Sequence, residues 1–444
     1  MGPKISSPNP EVFLDRFINL ERSNTVPYPR KLERMHRLLE ACGRPDRSGY
    51  RIITVAGTKG KGSTSAMMAS ILRSAGFKTG LYTSPHLESW NERISVDGAP
   101  ITETEASDIA GWLEERMERA SFEDGLPTYF EVMTAMALVH FARSGCGVSV
   151  LEVGLGGEFD AVNACDPDVT VITPIGHDHE RVLGSTLAEI ARAKAGIIKE
   201  GVPVVSSPQP REAMDVIEET ARARRAPLYR VGESVRVEPV VFSKTSQTFI
   251  IDSASGKQGP FELPLVGQHQ AENAAAAWLA LRIFAERTGN SLDPLKVAEG
   301  FGRVRWPGRM ELALAEPCVL LDGAHTPESA RALEQAVRRH FHYDRFEMIL
   351  GMMSDKNPEG FMDPFRSEVD LVRVVPMAHE RAFTAAELAA RVKAMGVNVL
   401  AHDSVETAIG AARAAAGPAR GRLILVTGSL YLVGHARRIL GCGR

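Results

Sequence analysis

The run Val55-Ala56-Gly57-Thr58-Lys59-Gly60-Lys61-Gly62-Ser63-Thr64 leaves this chain few choices of fold. Ahead of it, Arg51 to Ala56 is rich in Ile, Thr and Val and reads as a strand. Behind it, Ala66, Met67, Ala69, Ser70, Ile71 and Leu72 favour a helix, which Gly76 can end. Strand, glycine-rich turn with lysine, and helix start together form a phosphate cradle. Backbone N–H groups and the helix dipole face the anion, and Lys61 reaches the terminal phosphates. The hydroxyl of Ser63 or Thr64 can face a metal or a phosphate oxygen. The loop is tighter than the usual P-loop: Val55 stands where a glycine is common, and Gly62 separates Lys61 from the first hydroxyl. A glycine-rich turn of any parallel sheet is the bland alternative; the two lysines inside this one favour nucleotide binding.

A length of 444 residues exceeds one ordinary core, so two domains are expected. The boundary is placed at the glycine-, Pro- and Arg/Trp-rich stretch Gly302 to Arg309, read as a hinge, giving units 1–301 and 302–444. The fold class expected is α/β, a larger N-terminal P-loop NTPase-like parallel-sheet domain followed by a smaller Rossmann-like α/β domain. With 52 basic and 55 acidic residues the net charge is −3, which excludes a chain-wide basic field for nucleic acid. Five scattered cysteines without a C-x-x-C pair read as reduced thiols rather than a disulfide frame or a zinc site. No apolar run reaches membrane-spanning length and Met1 to Pro10 has no signal-like core, so a cytoplasmic protein without membrane or nucleic-acid partners is expected. Gly2 and Ser6 satisfy the bare myristoylation pattern; with Pro3 between them and no second membrane signal, coincidence is the reading.

Along the chain, residues 11–42 read as helical, with Phe13, Phe17 and Leu20 on one face and Leu32, Met35, Leu38 and Leu39 on another. A strand at 79–83 runs into Ser84-Pro85-His86-Leu87, at the sheet edge where open α/β folds bind ligands. Helices follow at 103–120 and 129–144. Val148 to Val153 is a core strand that ends on a carboxylate, Glu152, followed by Gly154, Gly156 and Gly157. An acid there, beside a P-loop strand, suits a magnesium ligand; an N-cap or an arginine partner is the structural alternative. The strand 169–173 empties into His177, Asp178 and His179, a metal or acid–base cluster without zinc spacing. The helix expected at 186–198 carries Lys194, which its own context reads as a solvated lysine. Then come a strand at 202–206, a helix at 216–225, a β-rich stretch at 228–262 and an alanine-rich helix at 272–285. Beyond the hinge, strands at 318–321, 347–351, 371–375, 397–400 and 422–427 alternate with helices at 327–340, 384–395 and 404–416.

These stretches in order resemble the folylpolyglutamate synthase and dihydrofolate synthase family of the Mur ligase superfamily. The resemblance rests on the 55–63 loop, Thr83-Ser84-Pro85-His86-Leu87, Asn91-Glu92-Arg93-Ile94 and Thr128-Tyr129-Phe130-Glu131. It continues through Leu151-Glu152-Val153-Gly154-Leu155-Gly156-Gly157, Asp178-His179, Lys194-Ala195-Gly196-Ile197, Trp306-Pro307-Gly308-Arg309 and Leu321-Asp322-Gly323-Ala324-His325. It implies an ATP-dependent amide ligase. A carboxylate of folate or dihydropteroate becomes an acyl phosphate, and the amine of L-glutamate displaces the phosphate. It also implies that Gly57, Thr58, Lys59, Gly60, Lys61, Gly62, Ser63 and Thr64 hold ATP together with Asn273, Arg309 and Asp322. Ser84, Glu152 and His179 are implied as Mg2+ ligands. Lys194 matches a lysine carbamylated in the family, and His325 a position near glutamate or phosphate. The pterin side is implied around Thr128, Phe130, Phe159, Asp160 and Ala161. The family's chemistry makes Lys61, Glu152, His179, Lys194 and His325 the catalytic set, in a monomer. Lys59 stands where many bacterial members carry asparagine, and Thr326 follows His325 where asparagine is common; both read as subtype marks. A cell-wall ligase of the same superfamily would need a sugar-nucleotide domain ahead of the loop, where only about fifty residues stand. A nucleotide-driven switch or a small-molecule kinase are the other rivals; the first needs no amino-acid acceptor, the second leaves a stable phosphorylated product.

Overall fold

The computed structural model describes residues 9–19, 31–123, 125–416 and 421–442. Eight strands form the first sheet: β1 Arg51–Ala56, β2 Thr79–Tyr82, β3 Ile94–Val96, β4 Ala99–Pro100, β5 Val148–Glu152, β6 Val169–Ile172, β7 Val204–Ser206 and β8 Leu228–Arg230. Their order is β4-β3-β2-β5-β1-β6-β7-β8, parallel except for the β4 and β3 edge. β1 therefore lies between β5 and β6, with Val55 level with Glu152. Alternate residues face opposite sides of a strand. Ile53 and Val55 accordingly enter a core with the helices Lys61–Ser74, Gln268–Thr288 and Pro294–Arg303. Ile52 and Ala56 enter another, with Glu33–Ala41, Glu103–Arg119, Tyr129–Ser144 and Leu187–Ala195. Covering both faces is what a parallel sheet of such apolar strands requires.

A second sheet is antiparallel: β9 Val235–Phe242, β10 Gln247–Ser253 and β11 Gly256–Leu263, in the order β11-β10-β9. The third has β12 Glu311–Leu314, β13 Cys318–Leu321, β14 Arg345–Leu350, β15 Leu371–Val374, β16 Val399–Ala401 and β17 Arg422–Thr427. Its order is β12-β13-β17-β14-β15-β16, parallel except for β12. Leu423 and Leu425 of β17 face one apolar layer, Ile424 and Val426 the other.

Several element expectations change. The stretch 11–42 is not one helix: Pro10–Leu14 and Glu33–Ala41 are helical, Asp15 to Phe17 turn, and Leu20 falls outside the described residues. The helix placed at 216–225 starts earlier, at Arg211, directly after Pro210, whose fixed φ suits a helix entry. The alanine-rich helix is longer, Gln268–Thr288, and ends at Gly289 in the left-handed region. Gly302 and Arg303 belong to a helix, so the irregular connection runs from Val304 to Met310. β12 and the last helix, Leu430–Leu440, were not expected. Among the described residues no helix is long and apolar enough to cross a membrane.

Candidate functional site

The cradle follows β1 directly. Gly57 has φ +144°, and a Cβ there would lie 1.9 Å from Thr173 Oγ1; Gly60 has φ +81°, and a Cβ there would lie 2.4 Å from Asn273 Oδ1. Only glycine fits both positions. The loop is tied down by Thr58 N and Lys59 N donating to Pro174 O, at 2.9 and 3.1 Å, and by Thr58 Oγ1 donating to Gly176 O at 3.2 Å. Gly60 caps the helix that starts at Lys61. Gly62 leaves room for the Trp306 ring, which brings the connection to the third sheet against the loop. Ser63 and Thr64 are buried in the first turn, and Thr64 Oγ1 has no hydrogen-bond partner among the described residues.

Three neighbouring strand ends surround this cradle. Glu152, at the end of β5, is 4% exposed. It accepts from Ser84 N at 3.3 Å and stands 3.9 Å from Lys61 Nζ. Burial raises its pKa to about 7 against the pull of Lys61, the Ser84 N–H, Arg309 and Arg93. Beyond β6, Asp178 receives Lys59 Nζ at 3.0 Å and Lys356 Nζ at 2.8 Å, with His325 Nε2 at 3.8 Å. Burial opposes its charge, yet His325, Lys59, His179 and Lys356 outweigh it and hold the carboxyl well below its usual range. His179 has φ +53° and a side chain 51% exposed. Loss of solvent on its inner side, with Lys356, Lys194 and Lys61 nearby, presses its pKa down to about 4 against Asp178.

Lys194 is not the solvated lysine its local context suggested. It is 5% exposed, and its Nζ donates to Gly57 O at 2.8 Å. The reason is helical phase: Ile190, Ala191, Lys194 and Ala195 are the buried residues of their helix and share its inner face. Burial, then Lys61 and Lys59, lower its pKa to about 7, opposed by Asp178 and Asp160.

The third sheet supplies the opposite wall. Asp322, just past β13, accepts Met310 N at 2.9 Å and Ala324 N at 2.8 Å. Arg309 donates to Gly308 O at 3.0 Å; burial lowers its pKa while Asp322 and Glu152 both oppose that shift, so the guanidinium lies within the field of both carboxylates. His325 Nδ1 bonds Gly323 O at 2.8 Å, turning Nε2 towards Asp178. Asn273 donates to Gln270 Oε1 at 3.1 Å and sits against Gly60. Lys356 escaped the sequence reading; its signal was a lysine in the turn just past a core strand, β14.

Elsewhere the expected residues do structural work. Thr128 caps its helix in a reciprocal box with Glu131, and Asp160 accepts N–H groups from Gly154, Leu155 and Val162. Ala161 is buried, Phe159 is half-buried, and Phe130 packs over Gly154 and tilts against Tyr82 at 5.8 Å. Phe130 thus meets the turn that carries Phe159, Asp160 and Ala161 at Gly154.

The glycine-rich loop, the buried Glu152 and the buried Lys194 of the first domain face Arg309 and His325 beside the third sheet, and the likenesses that follow make the class an ATP-dependent carboxylate–amine ligase. The Mur ligase middle domain matches residues 55–281, and the Mur ligase glutamate ligase domain matches 308–430. The dihydrofolate synthase/folylpolyglutamate synthase of Bacillus subtilis is 33% identical over 92% of this chain and 94% of its own. The folylpolyglutamate synthase of Mycobacterium tuberculosis, solved with ADP, superposes with a TM-score of 0.88 at 31% identity, over 98% of this chain and 97% of that one. E. coli FolC, solved with DHPP and ADP, gives 0.86 at 30% identity, over 98% of each chain. The chain belongs to the Mur ligase family, in the folylpolyglutamate and dihydrofolate synthase branch.

Proposed function

We propose that this ligase joins L-glutamate to a folate by way of an acyl phosphate formed with ATP. The observation that carries the reading is the convergence on the Gly57–Lys61 loop of Glu152 and Asp178, from the ends of the neighbouring strands β5 and β6, and of Lys194 from the helix Leu187–Ala195. The loop N–H groups and Lys61 bind the triphosphate; at 3.9 Å from Glu152 the lysine is close enough to be held and too far to be consumed by a tight pair. Arg309 adds positive charge from the far wall, and the two walls together exclude water from the transferring group.

The donor set suits magnesium. Ser84 and Glu152 are adjacent oxygen donors, His179 offers an imidazole nitrogen, and Lys61 meets the buried Glu152 carboxylate at 3.9 Å, outside hydrogen-bond distance. When bound there, Mg2+ supplies charge neutralisation at the phosphate oxygens. Lys194 is read as a carbamylation site. Its pKa near 7 leaves a share of neutral amine whose lone pair forms an N–C bond with carbon dioxide, one amine proton leaving to solvent. The resulting anion would sit beside Lys61. The pterin side is placed along Thr128, Phe130, Phe159, Asp160 and Ala161. The two parts of the chain, expected as 1–301 and 302–444 and joined by the Val304–Met310 connection, act as separate units that close on the nucleotide.

The test is ADP release with Mg2+, ATP and L-glutamate, using dihydropteroate or tetrahydrofolate as acceptor, with products weighed by mass spectrometry. A one-glutamate gain on tetrahydrofolate is expected; a gain on dihydropteroate as well makes the enzyme bifunctional. ADP release that neither needs L-glutamate nor adds it to either acceptor overturns the reading.

A further inference from the structure

The last helix, Leu430–Leu440, lies at the end of the third sheet, yet it is seated on the turn that carries Ser84. A Cβ on Gly434 would lie 1.9 Å from Leu87 O and 2.9 Å from Leu87 C, both backbone atoms. Leu87 itself packs against the apolar layer built from Val405, Leu432, Val433 and Ala436. One turn further on, the buried Arg437 donates from Nε to Glu88 Oε1 at 2.6 Å and from Nη1 to Glu311 Oε1. Each partner leads to a site element. Glu88 belongs to a tight turn in which Leu87 N, Glu88 N and Ser89 N all donate to Glu92, at 2.8 to 2.9 Å. That turn begins at Ser84, whose N–H reaches Glu152. The other oxygen of Glu311 accepts Gly308 N at 2.8 Å, next to Arg309. One guanidinium thus links the turn of Ser84 with the turn of Arg309.

We infer that Gly434 and Arg437 are positioning residues for the ligase reaction: they dock the final helix on the 84–92 turn and so fix Ser84 and Arg309 relative to each other. The inference rests on the reading of Ser84 and Glu152 as the magnesium-holding pair. A guanidinium with two carboxylates from separate chain segments is suited to the task because its fork fixes direction as well as distance. A lysine carries the charge and lacks the fork. The glycine has a steric reason, since the helix cannot approach Leu87 O this closely with any side chain at 434.

The experiment compares Gly434→Ala, Arg437→Gln and Arg437→Lys with Ser84→Ala in the full-length protein. Hydrogen exchange of residues 84–93 without ligand reads the turn directly. Calorimetric titration of AMPPCP with and without Mg2+ reads the site. Arg437→Gln and Gly434→Ala are expected to speed exchange in 84–93 and to weaken the Mg2+-dependent part of AMPPCP binding by about 10-fold, the scale for groups that orient metal ligands. Binding without Mg2+ stays within about twofold, and Arg437→Lys recovers only part of the loss. Glu88→Gln combined with Arg437→Gln adds little to Arg437→Gln alone. Unchanged exchange and unchanged Mg2+ dependence in folded Gly434→Ala and Arg437→Gln, with Ser84→Ala impaired, overturn the positioning role. Unchanged Mg2+ dependence in Ser84→Ala overturns the metal reading beneath it. If either variant fails to fold, the Glu88→Gln exchange profile decides, a wild-type profile counting against the inference.

Discussion

Glu152 and Asp322 occupy equivalent places and live differently. Each is a buried carboxylate at the C-terminal end of a core strand, one in the first sheet and one in the third. Asp322 has each oxygen filled by a backbone N–H, and its job is to hold the 308–310 turn and the 322–324 turn together. Glu152 has one N–H at 3.3 Å and a lysine at 3.9 Å. A buried carboxylate with each oxygen held by a backbone N–H supports the turns that supply them; one left short of partners keeps acceptor capacity free, which is what the proposed magnesium role of Glu152 draws on. Asp160, with three N–H donors, sides with Asp322.

Substitution sharpens the contrast. The largest effect is expected beside Glu152. Lys61→Ala should cut ATP-dependent turnover by about 100- to 1000-fold while the unfolding transition stays in place, since Lys61 holds no buried partner tightly. Near-normal turnover would remove the cradle from the mechanism. Next in size is Asp322→Ala, which strands two buried N–H groups and should cost about 2 kcal/mol in urea unfolding. A loss of activity without loss of stability would move Asp322 to the poised class.

Glu152→Gln should act in the opposite sense on stability. The folded-state pKa of Glu152, about 7, lies above the ordinary 4.5, so the unfolded chain gives up this proton first. Stability tied to this group is complete below about pH 4.5 and is lost as pH rises to about 7. The glutamine variant should therefore be more stable than the parent at pH 8 by about 3 kcal/mol, measured without nucleotide or metal, and nearly equal to it near pH 4.5. Magnesium with AMPPCP should reverse the order at pH 8. A variant less stable than its parent at pH 8 in the absence of ligand would show Glu152 to be as structural as Asp322.

The difference between poised and structural carboxylates is also where sequence reading reaches its limit. Periodicity placed nearly every core strand, because strand and helix periods are local, and it placed Glu152 at a strand end beside the loop. Whether an acid there is filled by N–H groups depends on which turns pass nearby, as Met310 does for Asp322, twelve residues away and across a strand. Lys194 shows the reverse case. Its burial was legible in the spacing Ile190, Ala191, Lys194, Ala195, but a lysine invites the solvated reading unless phase is given more weight than residue type. Thr128 and Asp160, implied on the pterin side by resemblance, also have hydrogen-bonding duties in caps and turns that motif matching does not register.

Asp178 gives the smallest expected effect and the finest test of the distinction. It is less buried than Glu152 and saturated like Asp322, except that one backbone N–H, from His179, is joined by cations from both sheets. Removing one of several cations should leave a carboxylate still paired by Lys59 and faced by His325. Lys356→Met is therefore expected to change unfolding free energy by less than about 1 kcal/mol, in contrast to Asp322→Ala, where nothing replaces the lost acceptor. What should move is salt dependence: with Lys356 gone, the remaining Lys59 pair is more open to counterions, and the difference between parent and variant should shrink as ionic strength rises. A loss as large as that of Asp322→Ala, insensitive to salt, would mean that Lys356 is the support on which the Asp178 turn is built, and would place Asp178 with the architectural carboxylates.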